Sequence, residues 1–214
     1  MKKGFIAVAA LTAVLCSQLA RADGSGVSVK VGTLGYGAEF TAATTSMTNV
    51  RFGINRYSYD KTTMESDINY KLELDLKSGD LLLDWHPFSG TFRLTAGVVY
   101  NKNEFKVTAE PAATYNIGGA TYTSADVGTL TGKVTFKKTA PYLGVGWGNA
   151  AKGKGLSFGA DLGILFQGSP DVKLTATGSV VTAASLAQEE QEAESSMSDF
   201  KRYPVIAFAL TYKF

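Results

Sequence analysis

Tyr203-Pro204-Val205-Ile206-Ala207-Phe208-Ala209-Leu210-Thr211-Tyr212-Lys213-Phe214 ends the chain, and its pattern decides how the rest is read. Taken alternately, Ile206, Phe208, Leu210, Tyr212 and Phe214 form one apolar or aromatic face. Val205, Ala207, Ala209, Thr211 and Lys213 form a small-to-polar one. A period of two is the strand period. Five large apolar groups directed outward from a terminal strand need an apolar neighbour, and the final aromatic residue suits a lipid one.

Working outward from that strand, the same alternation recurs along the chain. Val27, Val29 and Val31 oppose Ser28, Lys30 and Gly32; the phase then shifts across Gly32 to Gly35, the signature of a glycine-bearing bulge, and resumes through Phe40. Val50, Phe52 and Ile54 mark a second strand, followed by a polar connection from Asp60 to Asp67. Ile68 to Leu76 alternates with Asn69, Lys71, Glu73, Asp75 and Lys77, and at Ser78-Gly79 the phase flips to Leu81, Leu83 and Trp85. Ser78-Gly79 reads as the corner of a tight hairpin, with a bulge inside one long strand as the alternative. Eight strands result, near 27–41, 47–59, 66–77, 80–87, 91–104, 133–148, 156–168 and 202–214, each about the length of a tilted bilayer crossing.

An even count places both chain ends on one side, the periplasmic one in bacterial barrels. Pro87 to Gly90, Asn149 to Gly155 and Asp60 to Asp67 then become periplasmic connections, and 105–132 and 169–201 extracellular loops. Tyr115 to Tyr122, centred on Gly118-Gly119, fits a small hairpin within the first loop. Ala183 to Asp199, rich in Ala, Glu and Gln, fits a short helix in the last. The expected fold is therefore all-β, a closed antiparallel up-and-down transmembrane barrel filled by its own side chains. Its inward charges are Lys30, Glu39, Arg51, Lys71, Glu73, Asp75, Asp84, Arg93, Asp161 and Lys213. Such charges must pair, because an isolated buried charge is very costly. A hairpin centred between Phe88 and Ser89 sets Asp84 opposite Arg93 as an inward ion pair, and Trp85 opposite Phe92 on the outside.

The chain has 214 residues, with 23 Gly, 10 Tyr and 12 Phe, enough for one all-β domain. It opens with Met1-Lys2-Lys3, an almost wholly apolar run from Phe5 to Cys16, and Ala20-Arg21-Ala22 before Asp23. This is a Sec signal peptide over 1–22, cleaved after Ala22, which leaves a barrel domain over 23–214. The apolar run is too short for a membrane-spanning anchor, and Leu15 before Cys16 departs from a lipid-modification box. Without Lys2, Lys3 and Arg21, the 21 bases fall to 18 against 19 acids, a formal charge of −1 that gives no basic surface for nucleic acid. The single Cys lies in the leader, so the mature chain has no thiol chemistry; with one His in all, nothing implies a metal or other cofactor.

Leu81 to Phe88 with Phe92 to Gly97, Ala140 to Gly148, and Asp161 to Pro170 are similar to stretches of small proteobacterial outer-membrane proteins, within the broad OmpA-like and OmpW-like class. The terminal strand resembles the closing strand of outer-membrane barrels, in which Phe208, Leu210, Tyr212 and Phe214 would be the signal read by the barrel-assembly machinery. The resemblance implies the bacterial outer membrane, with lipid, lipopolysaccharide and periplasmic chaperones as partners. It implies no reaction and supplies no functional residues.

Three functions fit a barrel of this size. The first is a non-enzymatic structural or surface-interaction protein with a plugged lumen, presenting Tyr115, Tyr122 and the acidic 183–199 stretch. The second is a small OmpW-like channel for hydrophobic or small solutes, with Gly144, Gly146, Gly159 and Gly163 making space inside. The third is a lipid-modifying or proteolytic barrel enzyme, which needs a histidine near the extracellular rim. His86, the only one, falls beside a periplasmic turn, so the expectation is the first function and no catalytic residue.

Overall fold

In the computed structural model, residues 24–65, 68–109 and 114–214 are described; the leader read over 1–22 lies outside them. Strands β1 (Ser25–Gly32), β2 (Gly35–Ala43), β3 (Thr48–Glu65), β4 (Ile68–Trp85), β5 (Phe92–Asn101), β10 (Thr139–Trp147), β11 (Gly155–Leu165) and β13 (Tyr203–Lys213) form a ring of eight, paired in that order and antiparallel throughout. The terminal strand meets both its neighbours in full register, with Leu210 opposite Val29 of β1 and opposite Phe158 of β11. Gly24, Phe214 and the turns over 44–47, 86–91 and 148–154 lie at one end of the ring.

The count of eight agrees with expectation, but three of the expected strands, 27–41, 66–77 and 80–87, are divided differently. Residues 27–41 are not one bulged strand. They form the β1–β2 hairpin, turned at Thr33-Leu34 with Gly32 opposite Gly35. Gly35 has φ +99°, a conformation that glycine adopts without strain. The expected strands 66–77 and 80–87 are, conversely, one strand. The β3–β4 register runs unshifted from Thr48 opposite Trp85 to Glu65 opposite Ile68, so Ser78-Gly79 is neither a corner nor a bulge. As a result Asp60 to Glu65, expected within a periplasmic connection, are part of β3 and lie beyond the end of the ring opposite those turns.

The phase flip at Ser78-Gly79 has a different cause. Even-numbered residues of β4 face inward along its described length, because an unshifted ladder cannot exchange its faces. Beside the ring, that inward side carries Asp80, Leu82 and Asp84, and the outer wall carries Leu81, Leu83 and Trp85. Further along, the inward side turns apolar with Leu72, Leu74 and Leu76, and the outer side turns charged with Lys71, Glu73, Asp75 and Lys77. The strand continues; the surroundings of its outer face change.

Beyond the ring, β3 and β4 continue into an extension built with β6 (Glu104–Ala109), β9 (Leu130–Thr135) and β12 (Asp171–Ala176). β6 keeps the register that β5 holds on β4, with Ser78 opposite Asn101 and Asp75 opposite Glu104. A small hairpin, β7 (Thr114–Ile117) and β8 (Ala120–Thr123), turns at Gly118-Gly119 and pairs Tyr115 with Tyr122 as expected. A short helix α1 (Ser124–Val127) follows it, capped by Thr123. Helix α2 (Ala183–Ser196) falls where the Ala/Glu/Gln composition places it, with Thr182 as N-cap. It lies along β12, the outermost strand. Glu194 accepts the Val172 N–H at 3.0 Å and Glu190 accepts the Leu174 N–H at 2.7 Å, so its acids occupy donors that a sheet edge would otherwise expose.

Candidate functional site in the lumen

The ring has opposite polarities on its two sides. Outside stand exposed apolar groups such as Phe158, 82 % exposed, and Phe208, 62 % exposed. Inside, charged and polar groups converge from six strands. Arg51 of β3 lies at the centre. One guanidinium nitrogen donates to Asp84 Oδ1 at 3.0 Å, to Asp161 Oδ1 at 3.2 Å and to Thr95 at 3.3 Å. The other donates to Asp161 Oδ2 at 3.2 Å and to Glu39 at 3.3 Å. Arg93 of β5 adds a 2.9 Å bond to Asp161 and reaches the Gly148 carbonyl. On the other side of Arg51, Lys30 bridges Glu39 and Asp80, each at 2.9 Å, and Asn55 donates to Asp80 at 3.0 Å. Three cations and four carboxylates thus share one buried network, in which each carboxylate meets at least one cation.

Inward glycines make this density possible. A Cβ on Gly146 would lie 2.7 Å from Arg93 Nε; one on Gly163 would lie 2.4 Å from the Tyr142 hydroxyl. The space those glycines leave is already filled, by a guanidinium and a phenol ring. Cavities of about 40 and 10 Å³ flank Arg51, too small to join into a passage. Above the network an apolar layer of Leu82, Val99, Ala140, Tyr142, Leu165 and Val205 crosses the lumen.

Of the charges expected inside, Lys30, Glu39, Arg51, Asp84, Arg93 and Asp161 meet in this network. Asp84 and Arg93 are not directly opposite: the register is shifted by two residues, Asp84 facing Thr95, and the pair meets diagonally at 3.6 Å. Phe92 accordingly packs against Trp147, with ring centroids 5.9 Å apart. The turn over 86–91 explains the shift, for His86 anchors it. Its N–H bonds the Met47 carbonyl at 2.8 Å, its Nδ1 meets the Phe92 carbonyl at 3.1 Å, and its Nε2 meets Asn49 at 3.1 Å. A nitrogen facing a carbonyl must donate and one facing the Asn49 amide nitrogen must accept, so these contacts suit the imidazole tautomer protonated at Nδ1.

Lys71, Glu73 and Asp75 are not in the lumen. They stand on the outer face of the extension, where Glu73 pairs with Lys71 at 2.9 Å and with Lys106 at 3.2 Å, because β4 does not turn at Ser78-Gly79. Lys213 lies at the mouth and bonds the Lys152 carbonyl at 2.9 Å, apart from the network. Phe208, Leu210, Tyr212 and Phe214 all line the outer wall. Asp80 belongs to the network without having been expected. It shares its parity with Asp84 within the expected strand 80–87, so the signal was present in the alternation.

No family model matches the sequence, and no curated protein does. Among solved structures, CarO2 of Acinetobacter baumannii is similar at 19% identity, covering 89% of this chain and 98% of its own, with a TM-score of 0.59. CarO of the same organism is similar at 21% identity, with 88% and 97% covered and a TM-score of 0.58. A major outer membrane protein from Thermus thermophilus aligns at 16% identity over 89% and 99%, but its TM-score of 0.41 carries no argument. The chain thus has the fold of bacterial outer-membrane proteins.

Proposed function

We propose that this chain is an integral outer-membrane β-barrel of the small OmpA-like or OmpW-like class, non-enzymatic and plugged, which acts through the surface it presents outside the cell. The observation that carries this is the reversal of polarity across one wall: apolar groups outside the ring, and a cross-linked charge network inside it. From Leu156 in β11 to Phe166 just past its end, the outward set spans ten residue steps, about 25 Å of height at ordinary strand rise and tilt, which matches the apolar band of such barrels. Trp85, Phe92, Trp147 and Phe214 crowd one rim; Tyr36, Tyr100 and Phe166 lie at the other, as aromatic girdles do. The extension then stands in water on the extracellular side. Export through the leader over 1–22, delivery by periplasmic chaperones and recognition of the last strand by the assembly machinery belong to the same proposal.

Conductance tests it. The mature protein, residues 23–214, refolded into planar bilayers should be electrically silent. Steady discrete openings from the wild type would overturn the plug and favour the channel.

A further inference from the structure

Resting on the outer-membrane assignment, we propose that the outer wall carries a groove for a phosphate-bearing lipid of the outer leaflet, headed by Arg56, Lys77 and Lys102. These cations are neighbours across adjacent strands. Arg56 is directly opposite Lys77, and the Lys102 N–H bonds the Lys77 carbonyl at 2.8 Å. Like charges set side by side on a sheet face repel each other; Asp75 offsets part of the row, bonding Lys77 and reaching Arg56 with its charge, and the three cations keep a surplus of positive charge. Among the described residues, Arg56 and Lys102 have no carboxylate within ion-pairing distance; Lys102 rests over the Tyr100 ring at 5.4 Å.

The row lies at the boundary where the outer face of β4 changes from charged to apolar, the height of lipid head groups. Below it the register sets Ala38, Ile54, Gly79 and Tyr100 side by side, and below those come Phe52 and Leu81. Because Ala38 and Gly79 are small, this wall carries two abutting shallow, open grooves of about 540 Å³ each, the upper one reaching the three cations. Gly79 is not required by the protein itself. Its φ is not left-handed, and a Cβ there would meet only the Gly53 carbonyl, at an ordinary 3.7 Å. A glycine in a strand interior with open space above it marks the close approach of something else. A free phosphate would use only the cations; an apolar trough leading away from them accommodates the chains of a lipid.

The test loads the wild type, refolded in phosphatidylcholine nanodiscs, with lipid A as the diphosphorylated probe and counts retained lipid by native mass spectrometry. Retention of lipid A over phosphatidylcholine is expected. The triple variant Arg56→Gln, Lys77→Gln, Lys102→Gln should lower it at least tenfold, given about fivefold per cation beside an anionic lipid surface. Gly79→Leu, which fills the trough and leaves the cations in place, should lower it too, with heat-modifiable gel mobility unchanged in both variants. Equal retention by wild type and variants would overturn the groove. Displacement of lipid A by inorganic phosphate at matched phosphate concentration would overturn a lipid site in favour of a bare anion site. A wild type that inserts but does not prefer the phosphorylated lipid sinks the groove alone, whereas a wild type that fails to insert sinks the membrane assignment beneath it.

Discussion

A guanidinium surrounded by Glu39, Asp84 and Asp161, as Arg51 is, cannot be removed as a neutral edit. Arg51→Ala takes the shared cation from three buried carboxylates, leaving Glu39 to Lys30 alone and Asp84 and Asp161 to Arg93 alone, and breaking a buried pair from one side costs about 3–5 kcal/mol. Urea unfolding in detergent micelles should show that loss for Arg51→Ala and a much smaller one for Arg51→Met with Asp161→Leu, which removes charge from both sides. Gly163→Ala should also destabilise, by about 1–3 kcal/mol, since its new methyl strikes Tyr142 and the Leu143 carbonyl. Much of this site was legible at the residue scale. Alternation alone gave the inward side of Lys30, Glu39, Arg51, Asp84, Arg93 and Asp161. What it could not give was register, because the six-residue turn over 86–91 depends on His86 reaching Met47 and Asn49, contacts that leave no periodic trace.

Among the elements, α2 was legible from composition and β7–β8 from its Gly-Gly turn. The partners of α2 were not, since nothing in a Glu-rich stretch says which acids turn inward onto a strand edge. Replacing Glu190 and Glu194 by Ala should speed amide hydrogen exchange at Val172 and Leu174 and leave unfolding of the ring unchanged; protection equal to wild type would show that α2 does not guard the edge. A second expectation concerns α1, where hydrogen bonds from the Thr123 side chain, and then from its backbone, hold the Asp126 carboxyl below its ordinary value. A depressed folded-state pKa means that this capping contribution is present above the unfolded carboxylate's ordinary range and is lost as pH falls through the folded value. Carbon-detected NMR titration should find Asp126 protonating at lower pH than an exposed aspartate, and Thr123→Ala should remove the difference.

For the whole molecule, the eight-strand count came out right because two misreadings offset each other: one hairpin read as a strand, and one strand read as a hairpin. Both arose from treating every phase change as a local feature of the chain. Across Gly32 to Gly35 it was a turn. At Ser78-Gly79 it was the level at which the outer face passes between two solvents, which no short window can distinguish from a corner. The two tryptophans, Trp85 and Trp147, report on that wall, since both stand on it at the same rim. In vesicles, brominated lipids should quench both, read separately in Trp85→Phe and Trp147→Phe, and aqueous iodide should quench neither; iodide access to both would remove the lipid from the outer wall. The seam between β1 and β13 also has a consequence in time. Ser28 and Thr211, hydrogen-bonded across it at 2.7 Å, lie 183 positions apart, so the ring cannot shut until the chain has been made through Thr211. Until then β1 waits with one flank open, and whatever escorts the chain must shield that flank for the whole of its synthesis and transit.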